Sequence, residues 1–292
     1  MADQPIRSAS RTALMWLRDV QYRFCERCDR LLPRRFRVDG NREFQTNVFP
    51  DHLREGQIVY DVGGGKNPII SLERKLRYGL EVIGIDIDAD ELAQAPPGVY
   101  DRTVVAGIEH VTGRGEADLV VLQTVFEHVR DSDAAMASVR SLLRPGGRLL
   151  FFVPSRNAAF ARLNLLLPES LKRRLLRSVY PETGEDQGFP ARYDACTPRE
   201  MKALARRHGF DVVEERYYFK SSYFYFFAPL YLVWRAWLLC ASALIGSRAA
   251  ETFTFVLVKR PLPDDPPPRH VRRTRREPRA ASARPVETAA VR

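Results

Sequence analysis

Short runs of β-branched and aliphatic residues alternate with helix-like patterns between residues 57 and 153. This alternation is typical of a parallel sheet whose strands are connected by helices. Five runs have the length of buried strands; they are QIVYDV (57–62), EVIGID (81–86), RTVVAG (102–107), DLVVLQ (118–123) and GRLLFFV (147–153). The pattern therefore predicts an α/β domain.

Capping residues predict where the connecting helices begin and end. Asn67 is suited to cap a helix over 68–78, and Gly79 is suited to end it. One of residues 131–133 caps a later helix, which we expect to end near Leu143.

The order of elements changes beyond residue 196. Thr197 caps a helix that runs to about His208. Two further strands follow, FDVVEERYYF (210–219) and ETFTFVLVKR (251–260), and an apolar segment lies between them. We therefore expect seven strands.

The two ends of the chain differ from the centre in charge. The net charge is +10, from 46 basic and 36 acidic residues. Residues 1–50 hold 10 basic and 6 acidic residues, and residues 259–292 hold 10 basic and 4 acidic residues. The centre therefore holds 26 of each and is neutral. Residues 1–44 are expected to contain a basic amphipathic helix, which either packs on the domain or lies on anionic lipid. Residues 261–292 hold 7 of the 20 prolines and are expected to be a disordered basic tail. No basic groove crosses the central part, so no nucleic-acid partner is expected.

A glycine-rich turn, Gly63-Gly64-Gly65, follows the first strand and precedes the first connecting helix. Glycines at this place let the backbone approach a ligand closely. Asp86 ends the second strand, where a carboxylate can accept both hydroxyls of a ribose. Together they predict a nucleoside site. Pro68 stands where the dinucleotide fingerprint needs its third glycine, which disfavours a nicotinamide cofactor.

These segments resemble the class I S-adenosylmethionine-dependent methyltransferases, in particular those with a quinone-methylase-like domain. The resemblance covers about residues 45–260 and is carried by DVGGG, IDID, DLVVLQTVFEHVRD and LLRPGGRLLFFVPS in the family order. It implies a Rossmann-like sheet of seven strands with an antiparallel last strand. It also implies S-adenosylmethionine as cofactor.

The resemblance also assigns site residues by position. Asp61 and the glycines Gly63, Gly64 and Gly65 would border the methionine part of the cofactor, and Asp86 would bind the ribose. Ile87 would lie against the adenine and Gln123 would flank the sulfonium. Ile108 stands where the family often has an aspartate toward the adenine amine, so Glu109 or a backbone group must replace that contact.

Glu127 and His128 follow the fourth strand at the edge of the expected site, and they are the candidate catalytic residues. A hydroxyl acceptor must lose its proton, and a His or a carboxylate can take it. Some quinone O-methylases bind a divalent metal with a glutamate three residues before this pair. Thr124 stands there, so no metal is expected.

The stretch 154–196 is where the family builds acceptor specificity, and it is expected to form a lid. Residues 223–246 form an apolar segment whose only formal charge is Arg235. A single membrane crossing would separate the sixth and seventh strands, so we expect an interfacial helix, or a helical hairpin bent near Pro229 or Arg235. A helix pair packed on the domain or in a dimer interface is the alternative.

The sequence thus predicts a bacterial methyltransferase that acts on oxygen of a lipid-linked or cell-envelope glycan acceptor. The first 20 residues lack a secretory apolar core, so we expect a cytoplasmic location, peripheral or monotopic at the inner face of the membrane. Two other hypotheses stay open. One is a soluble small-molecule methyltransferase that dimerises through the apolar segment, and the other is a non-catalytic scaffold.

Overall fold

The computed structural model describes residues 4–168 and 190–261, with side chains of the first helix from Met15 onward. Seven strands in these ranges form one sheet in the order β3-β2-β1-β4-β5-β7-β6. They are β1 Ile58–Val62, β2 Glu81–Asp86, β3 Arg102–Val105, β4 Ala117–Gln123, β5 Leu143–Pro154, β6 Phe210–Tyr218 and β7 Thr252–Lys259.

Strand directions confirm the predicted fold class. The pairs β1–β2, β1–β4, β2–β3 and β4–β5 are parallel, whereas β7 is antiparallel to both β5 and β6. This is the Rossmann-like methyltransferase sheet, and it carries the apolar helical insertion between its sixth and seventh strands.

Helices cover both faces of the sheet. The α-helices of five or more residues in the described ranges are α1 Gln4–Arg30, α2 Leu72–Tyr78, α3 Ala89–Ala93, α4 Ser132–Leu142, α5 Ala159–Leu166, α6 Pro198–Arg207 and α7 Ala228–Ile245. A five-residue π-helix, Phe44–Val48, precedes β1. Two clusters of buried hydrophobic residues lie on opposite faces of the sheet. Successive side chains of a strand point to opposite faces, so Phe151 of β5 belongs to one cluster and Phe152 to the other.

The first connecting helix begins later than predicted. Ser71, not Asn67, caps α2, since its hydroxyl accepts the backbone N–H of Arg74 at 3.2 Å. The backbone N–H of Asn67 instead donates to the carbonyl of Gly64 at 2.8 Å. Residues 66–70 are therefore part of the loop after the glycines, and the predicted end at Gly79 is confirmed by its left-handed conformation.

The apolar segment forms one helix, α7, so the prediction of a hairpin bent near Pro229 or Arg235 is wrong. Pro229 stands in the first turn, where its missing N–H costs nothing, and the helix continues through Arg235 to Ile245. The helical stretch Ala228–Ala249 is long and apolar enough to cross a membrane by length and composition.

The first helix packs against α7 and the residues just before it. Cys25 and Asp29 are buried there. The C-terminal half of α1 therefore packs on the domain, which is the first of the two arrangements expected for this helix. The predicted tail at 261–292 and the middle of the lid at 169–189 lie outside the described residues, apart from the first tail residue.

Candidate active site

The glycine turn after β1 is held tightly against the ends of β2 and β4. The backbone N–H of Gly63 donates to the carbonyl of Ile85 at 2.7 Å. Gly63 has φ +73°, and a Cβ added to it would lie 2.4 Å from Cγ2 of Val125. Any side chain there would both strain the backbone and clash with the chain after β4. The glycine is therefore required by the close approach of three segments.

Asp61 fixes the loop that follows the glycines. Its Oδ2 accepts the backbone N–H of Ile69 at 3.0 Å and the hydroxyl of Tyr100 at 3.2 Å. Burial raises the pKa of Asp61 to about 6, although both hydrogen bonds oppose the rise. The predicted role at the methionine part of the cofactor stays a prediction, and the structure adds that this carboxylate shapes the turn.

Tyr100 is a residue of this site that the sequence analysis did not single out. Its hydroxyl lies 3.4 Å from the carbonyl of Gly65 as well as near Asp61. Its ring passes beside Gly84 in β2, where an added Cβ would come within 2.9 Å. A glycine inside a strand marks a close approach by another group, so Gly84 in EVIGID was the available signal.

Asp86 lies beside the glycine turn, as the ribose prediction requires. Its Oδ1 accepts the backbone N–H of Asp88 at 3.0 Å, and a Cβ on Gly65 would lie 3.1 Å from its Oδ2. Burial raises the pKa of Asp86. Ile87 follows with its side chain largely exposed, so it can pack against a flat base. The turn, Asp86 and Ile87 thus meet at the carboxyl ends of β1 and β2.

Ile108 and Glu109, which follow β3, differ in how deeply their side chains are buried. The side chain of Ile108 is buried in the core, whereas the carboxylate of Glu109 turns back toward Gly107, with Oε2 3.2 Å from the position of an added Cβ. Of the two, only Glu109 therefore has a partly exposed side chain beside this loop. Its use as a partner for an adenine amine stays a prediction.

Gln123, at the end of β4, connects the sheet to the segment before β1. Its Nε2 donates to Oδ1 of Asn41 at 2.5 Å. The next residue, Thr124, has φ +56°, and its hydroxyl donates to the carbonyl of Gln123 at 2.7 Å. A side chain of the short helical segment Gly40–Glu43 therefore contacts the end of β4, where the sulfonium is expected.

Glu127 and His128 follow β4 at the same edge of the sheet, on the side where the acceptor is expected. The Glu127 carboxylate is 4% exposed, and its Oε2 has no hydrogen-bond partner among the described residues. Burial raises its pKa to about 8. Its Oε1 is 3.9 Å from Nε2 of His128, while Nδ1 of His128 is 3.4 Å from the carbonyl oxygen of Pro190.

A carbonyl only accepts, so the contact with Pro190 places the imidazole proton on Nδ1 and leaves Nε2 as an acceptor. The carbonyl of Glu127 in turn accepts the backbone N–H groups of Arg192 and Tyr193, at 2.6 Å and 3.0 Å. The pair is thus fastened to the end of the lid segment. The described residues contain no group of three or more His, Cys, Asp or Glu that could hold a metal ion.

This fold, with a glycine turn and an acidic residue at the ends of β1 and β2, defines the class of S-adenosylmethionine-dependent methyltransferases. A family model described as "Methyltransferase domain" matches residues 16–215, well over half of the chain. The chain therefore belongs to this methyltransferase family, and it is an enzyme with S-adenosylmethionine as methyl donor. Asp86 and the glycine turn are the residues suited to hold the donor, which supplies an electrophilic methyl group.

Curated relatives include O-methyltransferases. The ubiquinone biosynthesis O-methyltransferase of Cupriavidus pinatubonensis is 28% identical over 195 residues, which are 61% of this chain and 74% of the relative. Methyltransferase ptaI of Pestalotiopsis fici is 31% identical over 164 residues, 50% of this chain and 47% of that protein.

Solved structures similar to the chain include two methyltransferases. A SAM-dependent methyltransferase from Methanosarcina mazei is 20% identical with a TM-score of 0.46, and the match covers 73% of this chain and 97% of the other. Phosphoethanolamine N-methyltransferase 2 of Haemonchus contortus, in complex with S-adenosyl-L-methionine, is 18% identical with a TM-score of 0.47. The match covers 83% of this chain and 56% of the other.

Proposed function

We propose that the enzyme methylates a hydroxyl oxygen of a lipidic acceptor at a membrane surface. The relatives named for ubiquinone biosynthesis favour a prenylated phenol over a lipid-linked glycan as the first acceptor to test. The location we propose is the inner face of the cytoplasmic membrane of a bacterium, where anionic lipid attracts the basic ends of the chain.

The observation that carries this proposal is the continuity between the apolar segment and the acceptor side of the site. Tyr223, at the start of that segment, stacks on Phe160 of α5 with ring centroids 4.1 Å apart. Three leucines of α5 nearby are exposed, namely Leu163, Leu165 and Leu166. The backbone N–H of Tyr193 donates to the carbonyl of Glu127 at 3.0 Å. Burial raises the pKa of the Tyr193 hydroxyl, and nearby Tyr223 and Glu127 raise it further. An apolar acceptor tail lying along α5 would thus bring its hydroxyl toward Glu127 and His128.

The transfer itself needs little chemistry from the protein. The acceptor oxygen attacks the sulfonium methyl in line, so the new O–C bond forms as the S–C bond breaks, and S-adenosylhomocysteine leaves. The enzyme aligns the two groups and excludes water. The hydroxyl proton passes to Nε2 of His128, whose ring is oriented by the carbonyl of Pro190.

The test is a labelling experiment with the full chain. Methyl-labelled S-adenosylmethionine is incubated with bacterial membrane lipid extract, and products are identified by mass spectrometry. We expect label in an organic-soluble methyl ether, with His128→Ala slower by about 10²-fold or more. Label found only in water-soluble products would contradict the lipidic acceptor. Absence of cofactor binding by calorimetry would instead favour a scaffold.

A further inference from the structure

The outer face of α7 is wholly uncharged and exposed. Five residues at alternating spacings of three and four positions share it; they are Leu230, Val233, Trp237, Cys240 and Leu244. Val233 alone is 68% exposed. The one charged residue of this helix, Arg235, points inward. A soluble surface rarely leaves a continuous apolar row of this length uncovered.

A second apolar row lies on α1. Leu17, Val20, Phe24 and Leu31 are exposed, and their spacing places them on one side of the helix and its end. Arginines at 23, 27 and 30 are exposed beside this row. Residues 15–37 contain seven arginines against three acidic residues. The row is therefore apolar with a basic margin, as in helices that lie in a membrane interface.

Side-chain contacts join the two helices that carry these rows. Arg235 donates through Nε and Nη2 to Oδ1 of Asp29 at 2.8 Å and 2.5 Å. The side chain of Gln21 accepts the backbone N–H of Ala228 at 2.8 Å. Gln21 thus faces the start of α7 and Asp29 faces a point two turns later, so the two helices run side by side in the same direction.

We infer that the apolar row of α7, together with the apolar row and basic margin of the adjoining α1, is the docking surface for a bilayer that contains anionic lipid. The inference rests on the proposed function, because it names the surface that brings the site to its acceptor. Charge complementarity selects this partner: the arginine margin matches anionic headgroups, and Trp16, Tyr223, Phe227 and Trp237 are exposed aromatic residues of the kind that sit at headgroup level.

The experiment is co-sedimentation of the full chain with vesicles of phosphatidylcholine alone or with about one third phosphatidylglycerol. We expect binding to the mixed vesicles that weakens as salt rises. Val233→Glu combined with Trp237→Glu should lower the partition coefficient at least about tenfold, and so should Arg23→Gln, Arg27→Gln and Arg30→Gln together. Leu76→Glu, at an exposed leucine of α2, is the matched control and should bind like the wild type.

Each result decides the inference separately from the proposed function. Wild-type binding by the Val233 and Trp237 variant, or absence of vesicle binding by the wild type, overturns the docking surface. A wild type that is dimeric by light scattering, becomes monomeric in that variant and ignores vesicles assigns the face to a second copy. Because sedimentation needs no turnover, vesicle binding without lipid labelling contradicts only the acceptor class. Lipid labelling without vesicle binding contradicts only the surface.

Discussion

Asp29 and Arg235 form a buried ion pair that joins the first helix to the apolar helix across 206 positions of sequence. Both side chains are 5% exposed. The hydroxyls of Tyr225 and Tyr231 also donate to the Asp29 carboxylate, and Arg235 donates further to the carbonyls of Phe219 and Phe36. A buried charge is tolerated when such partners satisfy it. The pair therefore fixes α1 on the domain.

Removing one member of this pair should destabilise the protein strongly. Asp29→Ala leaves the guanidinium of Arg235 buried without a counter-charge, and we expect a loss of about 3–5 kcal/mol in the free energy of unfolding. Urea unfolding measures it. Asp19→Ala, at an exposed ion pair of the same helix, should change the value by less than about 0.5 kcal/mol. Equal effects of the two substitutions would contradict this account.

A side chain at Gly63 should be far more damaging than one at Gly56. Both glycines have nearly the same φ, +73° and +71°, but a Cβ on Gly56 meets nothing within 4 Å. Gly56→Ala should therefore cost about 1 kcal/mol from backbone strain alone. Gly63→Ala adds the clash with Val125 and should cost about 3 kcal/mol and impair cofactor binding. Thermal unfolding and calorimetry check both, and similar losses in the two variants would rule out the packing argument.

Asp86→Ala should weaken S-adenosylmethionine binding. The predicted role of this carboxylate is to accept two ribose hydroxyls. Hydrogen bonds to a charged group contribute about 1.5–3 kcal/mol each, so we expect Kd to rise at least about tenfold. Isothermal calorimetry measures this directly. Asp90→Ala, an exposed carboxylate of neighbouring α3, is the control. An unchanged Kd for the Asp86 variant would remove Asp86 from the cofactor site.

The buried carboxyl group of Glu127 should make the free energy of unfolding fall as the pH rises. Burial raises its pKa from the ordinary 4.5 to about 8. Between these values the folded state holds a proton that the unfolded state releases, so the free energy of unfolding declines with rising pH over this window. Glu127→Gln should flatten the decline between pH 5 and 8, measured by urea unfolding, whereas Glu55→Gln on an exposed loop should not. Parallel curves for wild type and Glu127→Gln would contradict the burial argument.

Local patterns predicted the sheet well because each strand is a short apolar run bounded by turn residues. EVIGID predicted β2 with its exact bounds, and Asp131 does cap α4, as one of the three residues considered. The start of α2 was mispredicted because the backbone N–H groups of the preceding loop have other acceptors, namely the Asp61 carboxylate and the Gly64 carbonyl. Those partners are set by the folded loop.

Long-range partners were beyond what the sequence could predict. Arg235 stands out as a single charge in an apolar segment, but nothing local identifies Asp29 as its partner or excludes a bend there. Tyr100 in the site and the contact of Gln123 with Asn41 are of the same kind. Each depends on which segments the sheet order brings together.

The distance in sequence between Asp29 and Arg235 also determines when the domain can be completed during synthesis. At about 5–20 residues per second, roughly 10–40 s pass between translation of the first helix and translation of its partner in α7. During that interval the Asp29 carboxylate stays hydrated and the apolar row of α1 is already made. With the docking surface we propose, the first helix of the nascent chain would therefore be able to meet lipid before the catalytic fold exists.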